Sequence, residues 1–274
     1  MNNKAIKIPK YFVLVVFAVI IMFPEYMVIT GSLKTNKELY SNIFGLPDSP
    51  QFSNYSEAFF GGHLAPYYLN SFIVTGVSIV IIVILSTMTA FALTRKFTKG
   101  SKLIYMLFII GIAIPPQVAI IQIALQMNSM GLMNNLWALI FTHVAYELPF
   151  SVFILYGFML EIPGEIQEAA IVDGCGNFRL YASVMMPLSR GAIATVVIFN
   201  LVSIWNDMVF PLVLITDNSL KTLPIGLLQF RGQYTNNYTV MFAAVVMMAI
   251  PLVILYLSLQ KQFIRGLAQG AVKG

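Results

Sequence analysis

Two acids stand in stretches that are otherwise apolar. Glu147 lies near the middle of the segment Leu136–Leu160, with His143 one helical turn before it and Tyr146 beside it. Asp207 closes the triplet Trp205-Asn206-Asp207, shortly ahead of Pro211. An acid at the centre of a membrane span costs ~2.5–3.5 kcal/mol on insertion scales, so such groups face a bundle interior or a water-filled path rather than lipid. Carboxylates, an imidazole and aromatic rings in that setting could carry protons, or accept the hydroxyls of a passing solute while a ring stacks on it. A structural role is equally open. Asp207 and Asn206 could satisfy backbone groups near Pro211, and Glu147 those near Pro149, because proline removes a donor from the helix ladder.

A second polar stretch, EIQEAAIVDGCGNFRLYASVMMPLSR at residues 165–190, raises a different kind of chemistry. Pro163 suits the first turn of a helix, where its missing N–H is not needed, and Glu165 sits where the helix dipole favours an acid. Ile166, Ala169, Ala170 and Asp173 share one face by their i, i+3, i+4, i+7 spacing. Gly174 reads as the C-terminal cap. The pattern predicts a short helix, a sharp turn, and a second helix from about Asn177 through Pro187 into the next apolar run. A helix resting on a membrane surface carries bulky apolar residues opposite Lys and Arg. Alanines and acids favour docking of a partner close to the backbone.

Enzyme chemistry finds little purchase. No G-x-x-x-x-G-K-[ST] phosphate cradle occurs, and GSLKTNK has the wrong spacing, so the sequence predicts no ATP hydrolysis by this chain itself. The two histidines, His63 and His143, have no metal-ligand spacing to the single cysteine, Cys175, and no nucleophile–base set is apparent.

The elements that must position these residues are membrane helices. Of the 274 residues 58% are hydrophobic and 10% charged, against ~25% charged in average soluble domains. Six runs reach the roughly 20 apolar residues that a helix needs to cross a bilayer: Tyr11–Thr30, Asn70–Leu93, Leu103–Leu125, Leu136–Leu160, Gly191–Ile215 and Val240–Leu259. Continuous rather than alternating apolar runs exclude a β-barrel. With both termini inside, twelve of the 16 Lys and Arg fall in inner segments, and Lys34, Lys37, Lys221 and Arg231 outside. That is the bias the positive-inside rule demands. The first run is too long for a cleaved signal peptide and reads as a retained anchor. Pro115–Pro116 should kink the third span, with Gln117 and Gln122 beyond the kink facing a cavity. Outside, LPIGLLQF predicts a short helix.

EAAIVDGCGNFRLYASVMMPL resembles the EAA motif of the membrane subunits of bacterial ABC importers: Glu168, Ala169, Ala170 and Gly174 match, as does Pro187, while the usual I-x-L-P ending is VMMPL. WNDMVFPLVL, KTLPIGLLQFRGQY and FIRGLAQGAVKG are similar to the carbohydrate-importing branch, which includes the second permease of the maltose transporter. The resemblance spans nearly the whole chain. It implies an all-α, type I importer transmembrane fold with six spans, both termini inside, and a cytoplasmic coupling helix. It implies one permease domain over 1–274, with core spans at about 70–259, a coupling segment at 161–190 and a cytoplasmic tail at 260–274. It also implies a multi-pass protein of the bacterial cell membrane that pairs with a second permease, two ATPase domains holding ATP and Mg, and an extracytoplasmic sugar-binding protein. This chain then needs no cofactor and binds no nucleic acid. Glu168 makes polar contacts with the ATPase, Ala169 and Ala170 allow close docking beside Asp173, and Gly174 supplies the turn. The tail is a candidate for a second contact. His143, Tyr146, Glu147, Trp205, Asn206 and Asp207 are the candidates for the solute path. The alternatives are an ion-coupled secondary transporter, with Glu147 or Asp207 carrying protons, and an ABC permease for another solute.

Overall fold

The computed structural model describes residues 3–62, 64–95, 100–229 and 237–271, and of residues 3–10, 229 and 261–271 the backbone only. His63, Lys96, Lys99, Arg231 and Lys273 lie outside the described residues, as does the end of the tail. Every regular element among the described residues is helical. In chain order these are α1 (Asn3–Ser32), α2 (Asn36–Ser41), α3 (Ser53–Ser56, continued by a π-helical turn to Gly61), α4 (Leu64–Thr94), α5 (Ser101–Ile112), α6 (Pro116–Ser129), α7 (Leu136–Glu161) and α8 (Gly164–Val172). They are followed by α9 (Asn177–Leu188, with a π-helical turn inside it), α10 (Arg190–Trp205), α11 (Val209–Leu214), α12 (Leu223–Gln229) and α13 (Tyr238–Ala271).

Four helical stretches are long and apolar enough to cross a membrane: Tyr11–Ser32, Leu64–Thr94, Leu136–Glu161 and Tyr238–Gln260. Two bent pairs bring the number to six if each is one span. The expected third span is such a pair, α5 and α6, bent by 102°. The proline pair does more than kink it: Pro115 is extended and ends one helix, and Pro116 opens the next at a position where no N–H is required. The expected fifth span, Gly191–Ile215, is likewise not one helix. Its N-terminal end joins α9 across a bend of 74°, and it breaks after Trp205. The break is made by side chains. The Asn206 amide donates to the Val202 carbonyl at 2.8 Å, and the Asp207 carboxylate accepts the N–H groups of Val209 (2.9 Å) and Phe210 (3.2 Å). Helical periodicity alone cannot see such substitutes for backbone bonds.

The chain forms two compact units. One comprises residues 1–65 and 226–251. Its α1 is apolar and exposed from Tyr11 to Phe23, whereas the turn after α1 is tightly organised. Lys34 is fully buried and donates to the carbonyls of Asn42 (2.7 Å) and Ile43 (3.2 Å). Thr35-Asn36-Lys37-Glu38 has the form of a capping box, and the Thr35 hydroxyl accepts the Glu38 N–H at 3.2 Å to start α2. Gly31 lets α1 come against Phe242 of α13; a Cβ there would lie 2.7 Å from that ring.

The other unit, residues 66–225 and 252–274, holds the site. Ile82, Leu139, Leu155, Met185, Val196 and Leu214 lie at its centre. Lipid is as apolar as these side chains, so close packing rather than water exclusion holds such helices together, and small residues favour it. The inward face of α4 carries Ser71, Thr75, Ser78, Ser86 and Ala90, all buried, and Gly111 of α5 meets Pro149 of α7 so closely that a Cβ would lie 3.2 Å from its ring. The loop before α12 is stapled down. Asn134, in the left-handed region at φ 57°, accepts the N–H groups of Thr216 (2.6 Å) and Asp217 (3.0 Å). Asn70 donates to the carbonyls of Ser219 and Lys221 at 2.8 and 3.0 Å. Asp217 accepts both the N–H and the hydroxyl of Ser219 at 2.8 Å, which holds its carboxyl below the usual range.

Candidate functional site

The EAA segment folds as its spacing predicts. α8 starts after Pro163 with Glu165 in its first turn, and ends in a Schellman motif. Cys175 N–H bonds the Ala170 carbonyl and Gly174 N–H that of Ile171, both at 2.9 Å. Gly174 has φ +81°, a conformation that glycine adopts without steric cost. No residue of α8 is buried. Glu168, Ala169, Asp173 and Gly174 are exposed and Ala170 is half-buried. Apolar groups are uncovered around them: Ile166, Ile171, Val172 at 86% exposure and Phe178 at 79%. Two tethers that the sequence pattern does not reveal tie the segment to α4. Arg95 donates to Gln167 at 3.4 Å, and the Tyr181 and Thr87 hydroxyls meet at 2.8 Å, with Tyr181 against the Phe91 ring. Phe158, Ile162, Ile166 and Leu188 line a cleft of about 280 Å³ where α7, α8 and α9 meet.

The intramembrane residues divide between two faces of α7. At 100° per residue, positions 143, 147 and 151 lie almost opposite 141, 142, 145, 146 and 149. The first face is packed. His143 and Glu147 are buried; the Ser203 hydroxyl donates to the Glu147 carboxylate, and Ser151 donates to the Glu147 carbonyl at 2.9 Å. Asn200 of α10 donates to Ser151 at 2.9 Å. His143 Nε2 is 3.7 Å from Asp207 Oδ2, and its ring stands edge-on to Phe210. Trp205 is buried against Phe72, ring centroids 4.9 Å apart. Asn206 is exposed and bonded back to α10. Asp207 thus caps α11, the backbone role weighed for it, while Glu147 bonds a side chain rather than the backbone beside Pro149.

The second face opens on a cleft of about 430 Å³ between α5, α6 and α7. Tyr146 lines it, the one candidate path residue to do so, with Phe141, Thr142 and Pro149 of α7, Gly111 of α5 and Gln126 of α6. Gln117 and Gln122 are exposed and lie outside its lining; the amide in the cleft belongs to Gln126. Thr142 was missed because an isolated threonine in an apolar helix carries no signal of its own.

Residues 82–269 match the family described as the binding-protein-dependent transport system inner membrane component. The chain is 40% identical over 266 residues to the putative ABC transporter permease protein ORF2 of Caldicellulosiruptor sp. (strain Rt8B.4), with 96% of each chain covered. It is 34% identical over 262 residues to the diacetylchitobiose uptake system permease protein NgcG of Streptomyces coelicolor, covering 95% of this chain and 87% of that one. Its fold matches a chain of a bacterial ABC transporter involved in the import of the acidic polysaccharide alginate, with TM-score 0.85 at 21% identity over 96% of this chain and 99% of the other. The exposed EAA helix, the apolar helical spans and these likenesses agree: the chain is a multi-pass membrane protein of the binding-protein-dependent ABC transport family, a permease subunit.

Proposed function

We propose that the chain is half of the translocation path of an ATP-driven carbohydrate importer, coupled to its motor through α8. One observation carries this reading: α8 is an ordered helix, closed at its C-terminal end by a Schellman turn, that buries none of its own side chains and leaves Glu168, Ala169 and Asp173 facing outward. A nine-residue helix is far below the ~12–15 residues that are even marginal alone in water, so its exposed face has a use beyond packing. In this reading Glu168 bonds the ATPase surface, Ala169 and Ala170 let that surface approach the backbone, and Gly174 fixes the turn that passes movement to α9. The tail at 260–274 is a second candidate contact. The chain is one permease domain of six spans with both termini inside, α5 with α6 serving as the third span and α10 with α11 as the fifth. A second permease completes the path, two ATPase domains bind and hydrolyse ATP with Mg, and an extracytoplasmic binding protein delivers the solute. The binding protein and ATP favour one state of the pair and hydrolysis resets it, which needs only that each ligand prefer one state.

A sugar as cargo is supported by the diacetylchitobiose relative and by the WND and C-terminal elements of the sequence. Family membership sets an ion-coupled mechanism aside, although Glu147 and Asp207 are inside the bundle.

Mild-detergent purification of the chain from its native membranes tests the reading. A second permease and a Walker-motif ATPase should co-purify, and the ATPase should be lost when Glu168 and Gly174 are replaced. In proteoliposomes the complex with its binding protein should take up at least one of diacetylchitobiose, melibiose, raffinose or maltose, only with ATP inside. Uptake of none of these, but of an amino acid, would replace sugar by another solute. Recovery of the chain alone, active without ATP, would overturn the importer itself.

A further inference from the structure

We propose that the cleft between α5, α6 and α7 is a subsite for one ring of an uncharged sugar, with Thr142 and Gln126 as its hydrogen-bonding groups and Tyr146 as its stacking face. The proposal rests on the reading of the chain as a carbohydrate permease and adds to it a site and a charge class.

The carrying observation is an orphaned hydroxyl. Thr142 is 4% exposed and lines the cleft, and its Oγ1 has no hydrogen-bond partner among the described residues. Buried polar groups are nearly always paired, so an unpaired one on a residue that lines a cleft marks a place where a small shift would let something else supply the partner. Serine or threonine in a helix commonly bonds back to the carbonyl one turn earlier, as Thr87 does to Val83 at 2.6 Å and Thr195 to Gly191 at 3.0 Å. Thr142 departs from that habit. One turn further along α7, Tyr146 lines the same cleft, its ring edge-on to Phe210, and Gln126 lines it from α6.

The volume, about 430 Å³, falls in the ~300–1,000 Å³ range of small-molecule sites, which are mostly apolar with a few placed polar groups. The lining decides among ligands by its charges. None of the residues that form it is Asp, Glu, Lys or Arg. A carboxylated sugar would enter without a counter-charge, and a cation without a ligand set. An acyl chain would fill the space but leave the Thr142 hydroxyl and the Gln126 amide unanswered. A neutral pyranose fits both parts, because its C–H face packs on an aromatic ring while its hydroxyls both donate and accept. The site owes its shape to two features. The break at Pro115 swings α6 away from α5, and the contact of Gly111 with Pro149 holds α5 against α7 at its base.

The test uses the assembled transporter in proteoliposomes with its binding protein and ATP, in a Cys175→Ser background that removes the chain's single cysteine. Thr142→Cys then places a thiol in the cleft, and its alkylation rate by a small maleimide is read with and without sugar. The sugar among diacetylchitobiose, melibiose, raffinose and maltose that the complex imports should slow alkylation several-fold, and an alginate oligosaccharide should not. Separately, Thr142→Val should raise KM for uptake roughly two- to tenfold, the range expected for one hydrogen bond, and Thr142→Ser, which keeps the hydroxyl, should restore it. An imported neutral sugar that neither protects the thiol nor changes its KM in Thr142→Val overturns the subsite and leaves the carbohydrate reading standing. Protection by alginate equal to that by neutral sugars overturns the charge class, and protection set by lipid composition alone overturns the sugar as occupant. If the unmodified complex imports none of the four sugars, the carbohydrate reading falls and this one with it.

Discussion

The EAA segment and the polar cluster of α7 and α10 handle polar groups in opposite ways. In the cluster nearly every polar atom is answered from within: Ser203 bonds Glu147, Asn200 bonds Ser151, and Asp207 caps α11. In α8 the acids point outward, and apolar neighbours such as Val172 and Phe178 stay uncovered. Lipid offers no hydrogen bonds, so groups inside the bundle must satisfy one another. Groups that face water are free to wait for a partner. The inward acids Glu147 and Asp207 bond within the bundle, whereas Glu168 and Asp173 of the EAA segment face outward.

The sharpest way to break this contrast is to disable α8 without touching the bundle. Replacing Glu168 by Ala together with Gly174→Val, which forces a β-branched residue to φ +81° at a cost of ~1–2 kcal/mol, should abolish ATPase retention and ATP-driven uptake. The chain should still insert and co-purify with its partner permease. Next in size, Asp207→Ala should lower the thermal stability of the detergent-solubilised complex by about 1–3 kcal/mol, since two N–H groups lose their acceptor. Asp207→Asn, which keeps one carbonyl oxygen, should lose less. A fall in uptake at unchanged stability would instead move Asp207 to the solute path. A smaller effect is expected at the tether that ties the EAA segment to α4. Tyr181→Phe removes the hydroxyl pair with Thr87, worth roughly 0.5–1.5 kcal/mol, and should raise the ATP hydrolysed per sugar moved while assembly persists. The smallest concerns Asp217, whose carboxyl is held low by the Ser219 N–H and hydroxyl. A depressed carboxylate stabilises its turn above its unfolded pKa and loses that contribution as pH falls through the folded one. Amide exchange at Ser219 should accelerate only below the ordinary Asp range, and Asp217→Asn should remove that pH dependence.

Apolar run length and the Glu168–Gly174 pattern made the helical membrane class and the turn that ends α8 legible in the sequence, because both depend on local spacing. The two bent pairs were half legible. The rings of Pro115 and Pro116 announce a break but not an angle of 102°, and the end of α10 depends on the Asn206 and Asp207 side chains rather than on hydropathy. Polarity marks the candidate path residues in the sequence, but it does not say which way a side chain points. His143, Tyr146 and Glu147 are neighbours in sequence yet lie on two faces of one helix, and Thr142, an isolated threonine in an apolar helix, lines the cleft. Contacts such as Arg95 with Gln167 join positions far apart in the chain, and no single-sequence periodicity encodes them.

The division of α7 into two faces has a consequence for how such a transporter diversifies. Substitutions at 126, 142 and 146 change what the cleft offers a solute without disturbing the bonds that Glu147 and Asn200 make on the far side of the same helix. Cargo preference can therefore drift in small steps, each leaving a foldable intermediate. A combinatorial library at those three positions should be far richer in inserted, assembled variants than one of equal size at 143, 147 and 200.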